Sequence, residues 1–389
     1  MTNKNKIVVH SLDAFLFITG SWIYNQIIDL SRWQPVVVCK KRMNQDIFPF
    51  EPVYSLDSCS TLGIYFQEIG RILLSLPYHP YIYYALKRKG VSLLHSHFGN
   101  RGYYDIGLKK KLVVPLITTF YGYDLNYVPI KNPVWKERYM KLFSEGDLFL
   151  VEGSHMKECL VELGCPREKI TVQHLGVDLE KIEFIPRRPK EKENIKILVA
   201  GAFREKKGIP YALEAYGKVR QKYKNMELTL IGDSGGQERE EEEKRRISQV
   251  IEKYKLQESV RLLGFKPHSV FLEEAAKHDI FLSPSVHSSD GDTEGGAPVS
   301  IIEASASGMP ILSTYHCDIP EVVIDRKSGF LVPERDVDAL AEKLEYLVLN
   351  NSLWEEMGRA GRKHIEDNYN IIKQREALET IYDSLVSYV

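Results

Sequence analysis

Residues 283–303 read Ser283-Pro-Ser-Val-His-Ser-Ser-Asp-Gly-Asp-Thr-Glu-Gly-Gly-Ala-Pro-Val-Ser-Ile-Ile-Glu303. The stretch follows an apolar, strand-like run and passes through a loop of small and polar residues. A helix is predicted from about Pro298, because proline and serine suit the first turn of a helix. The glycines before it lack a Cβ atom, so the backbone N–H groups of Gly295, Gly296 and Ala297 are able to lie close to a ligand. The stretch therefore predicts a strand, a ligand-binding loop and a helix, in that order.

Two glutamates flank this loop. Glu294 stands before the glycines, and Glu303 lies inside the predicted helix among Ile301, Ile302 and Ala304. Burying a carboxylate without a partner is costly, so we expect Glu303 to accept hydrogen bonds from sugar hydroxyls. The alternative is a glutamate that faces solvent on an amphipathic helix.

Short β-branched runs alternate with helix-length amphipathic segments along the whole chain, which is typical of parallel α/β sheets. The strands predicted in the first half are Lys6–His10, Pro35–Cys39, Leu93–Ser96, Val114–Phe120, Leu148–Val151 and Ile170–Gln173. Those predicted in the second half are Ile195–Ala200, Glu227–Ile231, Val260–Leu263, Ile280–Pro284, Ile311–Thr314 and Gly329–Val332. The predicted helices include Ser154–Glu162, Ile209–Tyr223, Glu238–Tyr254, Asp336–Leu349 and Ile371–Val389.

The chain has 389 residues, which is long enough for two domains. The charged, proline-bearing stretch Ile185–Asn194 separates two predicted strands and is interpreted as a linker, with a long surface loop as the alternative. The predicted domains are residues 1–184 and 195–370, followed by a helix at 371–389 that crosses back to the first domain. Two parallel sheets that face a shared cleft place strand ends and helix N-termini where a nucleotide diphosphate binds favourably.

The composition is that of a globular protein, with 43% hydrophobic and 27% charged residues. Because the formal net charge is −1, no global field draws the protein to nucleic acid, and no nucleic-acid partner is expected. The five cysteines form no Cys-x-x-Cys pair, and their odd number argues against a secreted disulfide framework. The chain shows neither a signal-peptide core nor 18 consecutive apolar residues, so a cytoplasmic protein is predicted.

A membrane contact is a further hypothesis. The segment Ile69–Lys89 combines aliphatic and tyrosine residues with a basic end, and Lys109-Lys-Lys111 adds a second basic cluster. Such a surface suits peripheral binding to an anionic bilayer at the inner face of the cell membrane. The alternative is that the apolar residues are buried helix faces and the lysines are solvated helix ends.

A second candidate site follows the predicted strand Ile195–Ala200, where the chain reads Gly201-Ala-Phe-Arg-Glu-Lys-Lys-Gly208. This turn is bounded by glycines, carries cations and leads into a helix, so it suits a diphosphate by charge and by its helix N–H groups. A solvated basic turn without a ligand is the alternative.

Two glutamates around a Gly/Pro loop resemble the signature of the retaining glycosyltransferases of family 4, also called glycosyl transferases group 1, which act in exopolysaccharide and colanic-acid synthesis. The resemblance covers essentially the whole chain and implies the GT-B fold, an α/β architecture of two Rossmann-like domains facing a central cleft. It implies that Glu294 contacts the transferred sugar and that Glu303 binds the ribose hydroxyls. It also implies that the amides around Gly295, Gly296, Ala297 and Pro298 hold the sugar and the diphosphate. One departure is that eight residues, not seven, separate the two glutamates.

In the same family the cationic turn reads Gly-Arg-x-x-x-x-Lys-Gly, and both cations contact the leaving diphosphate. Lys207 matches the lysine, whereas Ala202 stands in the place of the arginine. Arg204, two positions further on, is a candidate replacement. The resemblance therefore implies catalytic roles for Lys207 and Arg204.

The resemblance extends to two turns that hold the base in the family. Gly232 and Asp233 match a Gly-Asp-Gly turn, and Gly264 and Phe265 match the segment that packs on the base. These four residues are carried over as donor-binding residues, with plain turns between helices and strands as the alternative.

Three further motifs lie in the first half of the chain. His97 belongs to a run that resembles the family's His-x-His-Phe-Gly turn, and the resemblance implies that it contacts a sugar or the acceptor. Tyr121 stands where relatives often carry a histidine, and with Asp124 it is carried over to the acceptor side. Gly20 and Ser21 stand where relatives carry Ser-Glu-Thr-Phe, a turn that meets the diphosphate from across the cleft.

The resemblance as a whole implies an enzyme that moves a hexose from a UDP- or GDP-sugar to a saccharide or lipid-linked acceptor in cell-surface polysaccharide synthesis. No metal or other cofactor is expected, because the sequence has no Asp-x-Asp motif near the site and no cluster at metal-ligand spacing. The alternatives are a non-catalytic subunit that binds a nucleotide sugar, and another GT-B activity such as a sugar-nucleotide epimerase.

Overall fold

The structure is a computed structural model that describes residues 6–18, 20–60, 65, 69, 72, 76–188 and 193–387. Thr19 and parts of the predicted membrane segment and of the predicted linker lie outside the described residues. The contacts divide the chain into two compact units. The first joins Met1–Gly176 with Ile371–Val389, and the second is Val177–Asn370.

The first unit is built on a parallel sheet of seven strands. In chain order they are β1 (Lys6–Phe15), β2 (Trp33–Arg42), β3 (Val53–Ser55), β4 (Leu93–His97), β5 (Leu116–Thr119), β6 (Leu148–Val151) and β7 (Ile170–Val172). Their order in space is β3-β2-β1-β4-β5-β6-β7. The inner strand β4 pairs with β1 and β5 and is buried along its whole length, as expected for a parallel sheet covered on both faces.

Helices connect these strands. Those described before the unit boundary are α1 (Ser21–Ile27), α2 (Pro80–Lys89), α3 (Gly99–Leu112), α4 (Val128–Lys131), α5 (Val134–Glu145) and α6 (Ser154–Glu162). A proline at the first position begins α2, and Gly90 ends it at a φ of 66°, a backbone angle that glycine adopts without a steric penalty.

The second unit is built on a parallel sheet of six strands. They are β8 (Ile195–Ala200), β9 (Met226–Ile231), β10 (Val260–Gly264), β11 (Ile280–Ser283), β12 (Ile311–Thr314) and β13 (Gly329–Val332), in the spatial order β10-β9-β8-β11-β12-β13. The connecting and following helices are α7 (Ile209–Lys222), α8 (Glu238–Lys253), α9 (His268–Lys277), α10 (Val299–Ala306), α11 (Ile319–Val322), α12 (Val337–Leu349) and α13 (Trp354–Asn368). This order places the carboxyl ends of β8, β11, β12 and β13 side by side.

The last helix, α14 (Ile371–Val386), packs on the sheet of the first unit. Tyr382 is buried there with Trp33, and their rings meet edge to face. Glu379, on the same helix, is 1% exposed and accepts hydrogen bonds from the backbone N–H groups of Arg32 and Trp33. A buried carboxylate needs such partners, so Glu379 attaches the helix to the start of β2.

Most predicted strands agree with the observed ones to within a few residues, but two details of the predictions were wrong. β3 was missed, because it has only three residues. His97 was placed in a turn, whereas it ends β4 and is fully buried, since Thr119 on β5 extends the pairing to this residue. The boundary also differs from the predicted domain end at residue 184, because Val177 and Ile182 are buried in the core of the second unit.

None of the described helices is both long enough and apolar enough to cross a membrane.

Candidate functional site

The strand ends of the second unit carry a buried ion pair. Nζ of Lys207, in the turn after β8, lies 2.8 Å from Oε2 of Glu294, in the loop after β11. The other carboxylate oxygen accepts a hydrogen bond of 2.9 Å from the hydroxyl of Ser285. The Glu294 side chain is only 6% exposed, so its negative charge depends on these partners.

Lys206 supports the same loop from the adjacent position. Its ammonium donates to Oδ1 of Asp292 at 3.0 Å and to the carbonyl oxygen of Thr293 at 2.8 Å. Burial alone favours the protonated form of Glu294, but Lys207 and Lys206 hold its pKa at about 2. The carboxylate is therefore ionised at neutral pH.

One glycine lets these two segments meet. Gly208 follows the short 3₁₀ turn Glu205–Lys207 and has a φ of 63°. A Cβ atom there would lie 1.8 Å from the carbonyl oxygen of Pro284, which follows β11. The cationic turn therefore approaches the end of β11 at a distance that only glycine permits.

The loop between the glutamates leads directly into a helix. Gly295 has a φ of 76°, and its N–H donates to the hydroxyl of Thr293. Pro298 caps α10, while Gly296 is buried and Ala297 partly buried just ahead of it. The helix N-terminus thus lies at the same edge of the sheet as the lysine-bearing turn, a combination that favours an anionic ligand.

Glu303 has a partner that the sequence analysis missed. It lies in α10, is 8% exposed, and its Oε1 accepts a hydrogen bond of 2.7 Å from Nε2 of His268. His268 begins α9, three residues after the predicted base-binding residue Phe265, and the carboxylate raises its pKa. The proximity of Gly264 and Phe265 to this position was the only signal in the sequence.

Arg204 forms an ion pair with a carboxylate other than Glu294. Its Nε lies 3.0 Å from Oε1 of Glu240, a side chain that also accepts from the N–H of Gly235. Glu240 thus joins the cationic turn to the loop after β9.

The remaining predicted donor-binding residues follow the strands on the other side of β8. Gly232 donates its N–H to the carbonyl oxygen of Gly264, and a Cβ atom on Gly232 would lie 1.9 Å from the carbonyl oxygen of Gly201. Asp233 accepts hydrogen bonds from its neighbour Ser234 and from Lys244, which together lower its pKa. Phe265 is 56% exposed at this edge of the sheet. An exposed aromatic ring beside close-packed turns is a suitable surface for stacking a base.

In the first unit, His97 is engaged at both ring nitrogens. Nδ1 lies 2.6 Å from the hydroxyl of Tyr121, and Nε2 lies 3.0 Å from Nδ1 of His10. His95, two residues earlier, likewise contacts Tyr382 and Thr119. Burial lowers the pKa of His97 and raises that of Tyr121, so both groups are neutral at physiological pH.

Asp124 and Gly20 have local structural contacts. The carboxylate of Asp124 accepts from the N–H groups of Gly99 and Tyr121, and burial raises its pKa to about 6. Gly20 precedes α1, whose first residue is Ser21, and its carbonyl oxygen accepts the N–H groups of Ile23 and Tyr24. These contacts order the turns after β5 and before α1.

Among the described residues, one group within each unit brings ligand atoms close enough to share a metal ion. One is His10, His95 and His97 in the first unit, and the other is His287, His316 and Glu334 in the second. The hydrogen bonds within each group already engage most of these atoms. The expectation of a metal-free site stays a prediction.

Replacing Glu294 by glutamine is expected to remove a stabilising contribution that depends on pH. The pKa of Glu294 lies below its ordinary value of 4.5, so the contribution is complete above that pH and is lost as the pH falls toward 2. The difference in unfolding free energy between wild type and Glu294→Gln, measured by urea denaturation, should shrink between about pH 5 and about pH 3. The exposed Glu342→Gln is the control, and a difference for Glu294→Gln that does not change with pH would contradict the ion pair.

Comparison with known proteins gives a consistent assignment. Residues 180–364 match the family described as Glycosyl transferases group 1, and residues 51–181 match Glycosyltransferase Family 4. The chain is 36% identical over 282 residues to WcaL of Escherichia coli (strain K12), which is named as a colanic acid biosynthesis glycosyltransferase. This match covers 71% of this chain and 66% of WcaL. It is 32% identical over 312 residues to the amylovoran biosynthesis glycosyltransferase AmsK of Erwinia amylovora, covering 79% of this chain and 73% of AmsK.

Solved structures of similar fold span nearly the whole chain. Anabaena Alr3699/HepE in complex with UDP superposes with a TM-score of 0.77 at 14% identity, covering 98% of this chain and all of that one. Sucrose-phosphate synthase from Thermosynechococcus elongatus gives a TM-score of 0.75 at 17% identity, covering 99% of this chain and all of that one. At such identities the likeness shows the fold, which is the GT-B arrangement of two Rossmann-like units. The chain therefore belongs to glycosyltransferase family 4, among the glycosyl transferases group 1.

Proposed function

We propose that this protein transfers a hexose from a UDP- or GDP-sugar to a saccharide or lipid-linked saccharide, with retention of anomeric configuration, during synthesis of a cell-surface polysaccharide. The observation that carries the proposal is the partly buried Lys207–Glu294 pair, at the same edge of the sheet as the N-terminus of α10. A cation, a carboxylate and the first turn of a helix therefore lie at one edge of one sheet. A sugar diphosphate presents the matching groups, namely two anionic phosphates and a set of hydroxyl donors.

The second unit would bind the donor in three parts. Glu303 accepts hydrogen bonds from the ribose hydroxyls, while His268 holds one of its oxygens in place. Glu294 accepts from hydroxyls of the transferred sugar. Lys207 and the amides around Gly295 bind the diphosphate, since charge-assisted hydrogen bonds suit phosphate oxygens.

In the transfer step, the bond between the anomeric carbon and the diphosphate oxygen breaks, and a bond to the acceptor oxygen forms on the same face. The acceptor hydroxyl proton passes to the departing diphosphate. Negative charge grows on that diphosphate as the bond breaks, so a cation already fixed beside it stabilises the transition state more than the ground state. Lys207 is that cation, and no metal ion is required in this scheme.

Arg204 has a less direct role in this proposal. Its guanidinium is paired with Glu240, so it supports the cationic turn and the loop after β9. A direct contact with a phosphate would require this ion pair to open. In the first unit, the turn that carries Tyr121 and Asp124 is proposed to contact the acceptor, and His97 acts on it through the Tyr121 hydroxyl.

The similar proteins support the choice of substrates. WcaL and AmsK are named for the biosynthesis of colanic acid and amylovoran, which are polysaccharides. Anabaena HepE was solved with UDP-glucose, which makes UDP-glucose the first donor to test. The proposal therefore starts from UDP-sugars and extends to GDP-sugars.

A non-catalytic subunit that binds a nucleotide sugar is the second candidate. Ala202 in place of an arginine, and the additional residue between Glu294 and Glu303, are the observations that favour it. Turnover separates the two candidates, because both bind nucleotide but only an enzyme releases it from the donor.

Release of UDP or GDP from a panel of donors and saccharide acceptors tests the proposal. We expect turnover by the wild type with at least one donor, and an increase of about tenfold or more in its KM in Glu303→Ala, because a charged hydrogen bond to the ribose is lost. Lys207→Met should instead lower kcat, since Lys207 acts on the departing diphosphate. Glu342→Ala, an exposed glutamate of the same unit, is the control.

The outcomes distinguish the candidates. Donor binding by calorimetry without release of nucleotide for any pair would favour the non-catalytic subunit. Absence of binding to every UDP- and GDP-sugar would contradict both.

We also propose that the first unit binds anionic membranes peripherally. Lys87, near the end of α2, and Lys111, near the end of α3, both place their ammonium groups within 6 Å of the Tyr83 ring, so the two basic ends share one surface. Tyr84, in the middle of α2, and Val113, directly after α3, are 59% and 78% exposed. Basic residues beside exposed apolar groups favour an anionic bilayer.

Reversal of charge on this surface tests the membrane proposal. The triple variant Lys87→Glu, Arg88→Glu, Lys89→Glu should lose co-flotation with vesicles containing phosphatidylglycerol, because each basic residue contributes about 1 kcal/mol near an anionic surface. The control carries the same charge change on the second unit, at the exposed residues Lys224, Lys253 and Lys255. Equal flotation of the two triple variants would contradict the proposal.

A further inference from the structure

Three groups form a continuous hydrogen-bond chain across neighbouring strand ends of the second unit. The N–H of Glu294, in the loop after β11, lies 3.2 Å from Nε2 of His316, which follows β12. Nδ1 of His316 lies 2.7 Å from Oε1 of Glu334, which follows β13. Neither His316 nor Glu334 was singled out by the sequence.

This series of hydrogen bonds fixes which nitrogen of His316 carries the proton. A backbone N–H can only donate, so Nε2 must present its lone pair to Glu294. The ring proton is therefore on Nδ1, where Glu334 accepts it. Although burial favours a protonated carboxyl, the hydrogen bonds from His316 and His287 hold the pKa of Glu334 at about 2, so this acceptor is ionised.

Burial makes the arrangement rigid. The His316 side chain is fully buried, and an unmade hydrogen bond there costs more than at the surface. Sγ of Cys317 also lies 3.2 Å from Nε2, so the thiol shares this nitrogen with the N–H of Glu294. Glu294 is thus held from two directions. Its carboxylate is held by Lys207 and Ser285, and its backbone is held by His316.

The loop that follows Glu294 needs such an anchor. It contains Gly295 and Gly296. Eight residues separate Glu294 from Glu303, one more than in the family pattern. Glycines allow a loop more backbone conformations, so the loop alone does not fix the position of Glu294 relative to the strand ends.

The geometry assigns His316 and Glu334 as positioning residues for Glu294. Together they fix the main chain of Glu294 so that its carboxylate meets the hydroxyls of the transferred sugar. The assignment rests on the proposed function, because it presumes that Glu294 contacts that sugar.

His287 supplies a matched control. It contacts the same carboxylate, with Nδ1 lying 2.7 Å from Oε1 of Glu334, but its side chain is 53% exposed, whereas that of His316 is fully buried. His287→Ala therefore removes the same side chain from the same acceptor and leaves the bond between His316 and Glu294 in place.

The first measurement does not depend on activity. Hydrogen–deuterium exchange of the full-length chain should show faster exchange at the Glu294 amide in His316→Ala than in wild type. His287→Ala should leave that rate unchanged. Equal rates at this amide in wild type and His316→Ala would overturn the assignment.

The second measurement separates the sugar from the nucleotide. In His316→Ala we expect the Kd for UDP, or for GDP if the wild type prefers it, to stay within about twofold of wild type, because Glu303 and Lys207 are untouched. Turnover of the corresponding sugar donor should fall about tenfold to a hundredfold, as expected for a misplaced contact. His316→Gln, whose carbonyl oxygen can accept from the Glu294 N–H, should recover part of the loss, and Glu334→Ala should reproduce it if His316→Ala does not fold.

Equal losses of nucleoside diphosphate binding and sugar turnover would overturn the assignment, since they indicate a general structural defect. Faster exchange without any loss of turnover would overturn it as well. A wild type that binds neither UDP nor GDP would overturn the proposed function, and the assignment with it, while the exchange result would still report the hydrogen bond itself.

Discussion

The architecture of the candidate donor site depends on one buried charge, the carboxylate of Glu294. A carboxylate that is nearly removed from water must be compensated, and Lys207 and Ser285 donate to it. The backbone N–H of the same residue donates to His316. The contacts of this one residue therefore tie the turn after β8, the loop after β11 and the turn after β12 to one another. A glycine is needed at position 208 for the same reason, because only glycine lets the lysine-bearing turn lie against the end of β11.

The candidate sites of the two units contain different polar groups. The site in the second unit has charged pairs, in which Lys206, Lys207 and Arg204 each face a carboxylate. The first unit buries the Arg101–Asp105 ion pair elsewhere, but around His95 and His97 it buries neutral groups, since burial lowers the pKa of His95 to about 3 and also lowers that of His97. A site for a charged diphosphate needs fixed charges, whereas a network of neutral histidine and tyrosine side chains can orient hydroxyl groups without attracting anions. This difference between the two candidate sites is one argument for the proposed donor site in the second unit and the proposed acceptor contact in the first.

The sequence predicted much of this arrangement, for identifiable reasons. Apolar runs of four to six residues revealed strands such as Leu148–Val151 and Ile195–Ala200, and the apolar neighbours of Glu303 predicted its burial in a helix. The partners of the site residues were not predictable. His268, His316 and Glu334 lie on segments that reach Glu303 or Glu294 only through the spatial order of the strands, β10-β9-β8-β11-β12-β13, which no local pattern encodes. Arg204 illustrates the same point, because Glu240, its partner, is one of several glutamates in a charged run, in which Glu243 is buried as well.

The central claim is that Lys207 is shared between Glu294 and the diphosphate of a donor. Calorimetric titration of the nucleoside diphosphate without its sugar, into wild type and Glu294→Gln, tests this claim most directly. Because the substitution releases Lys207 and removes a negative charge close to the phosphates, the account predicts that the variant binds UDP or GDP more tightly than wild type. The same variant should bind the corresponding sugar nucleotide with less of an advantage over the free diphosphate, since a contact to the sugar is lost. Weaker binding of the free diphosphate by Glu294→Gln would contradict the account.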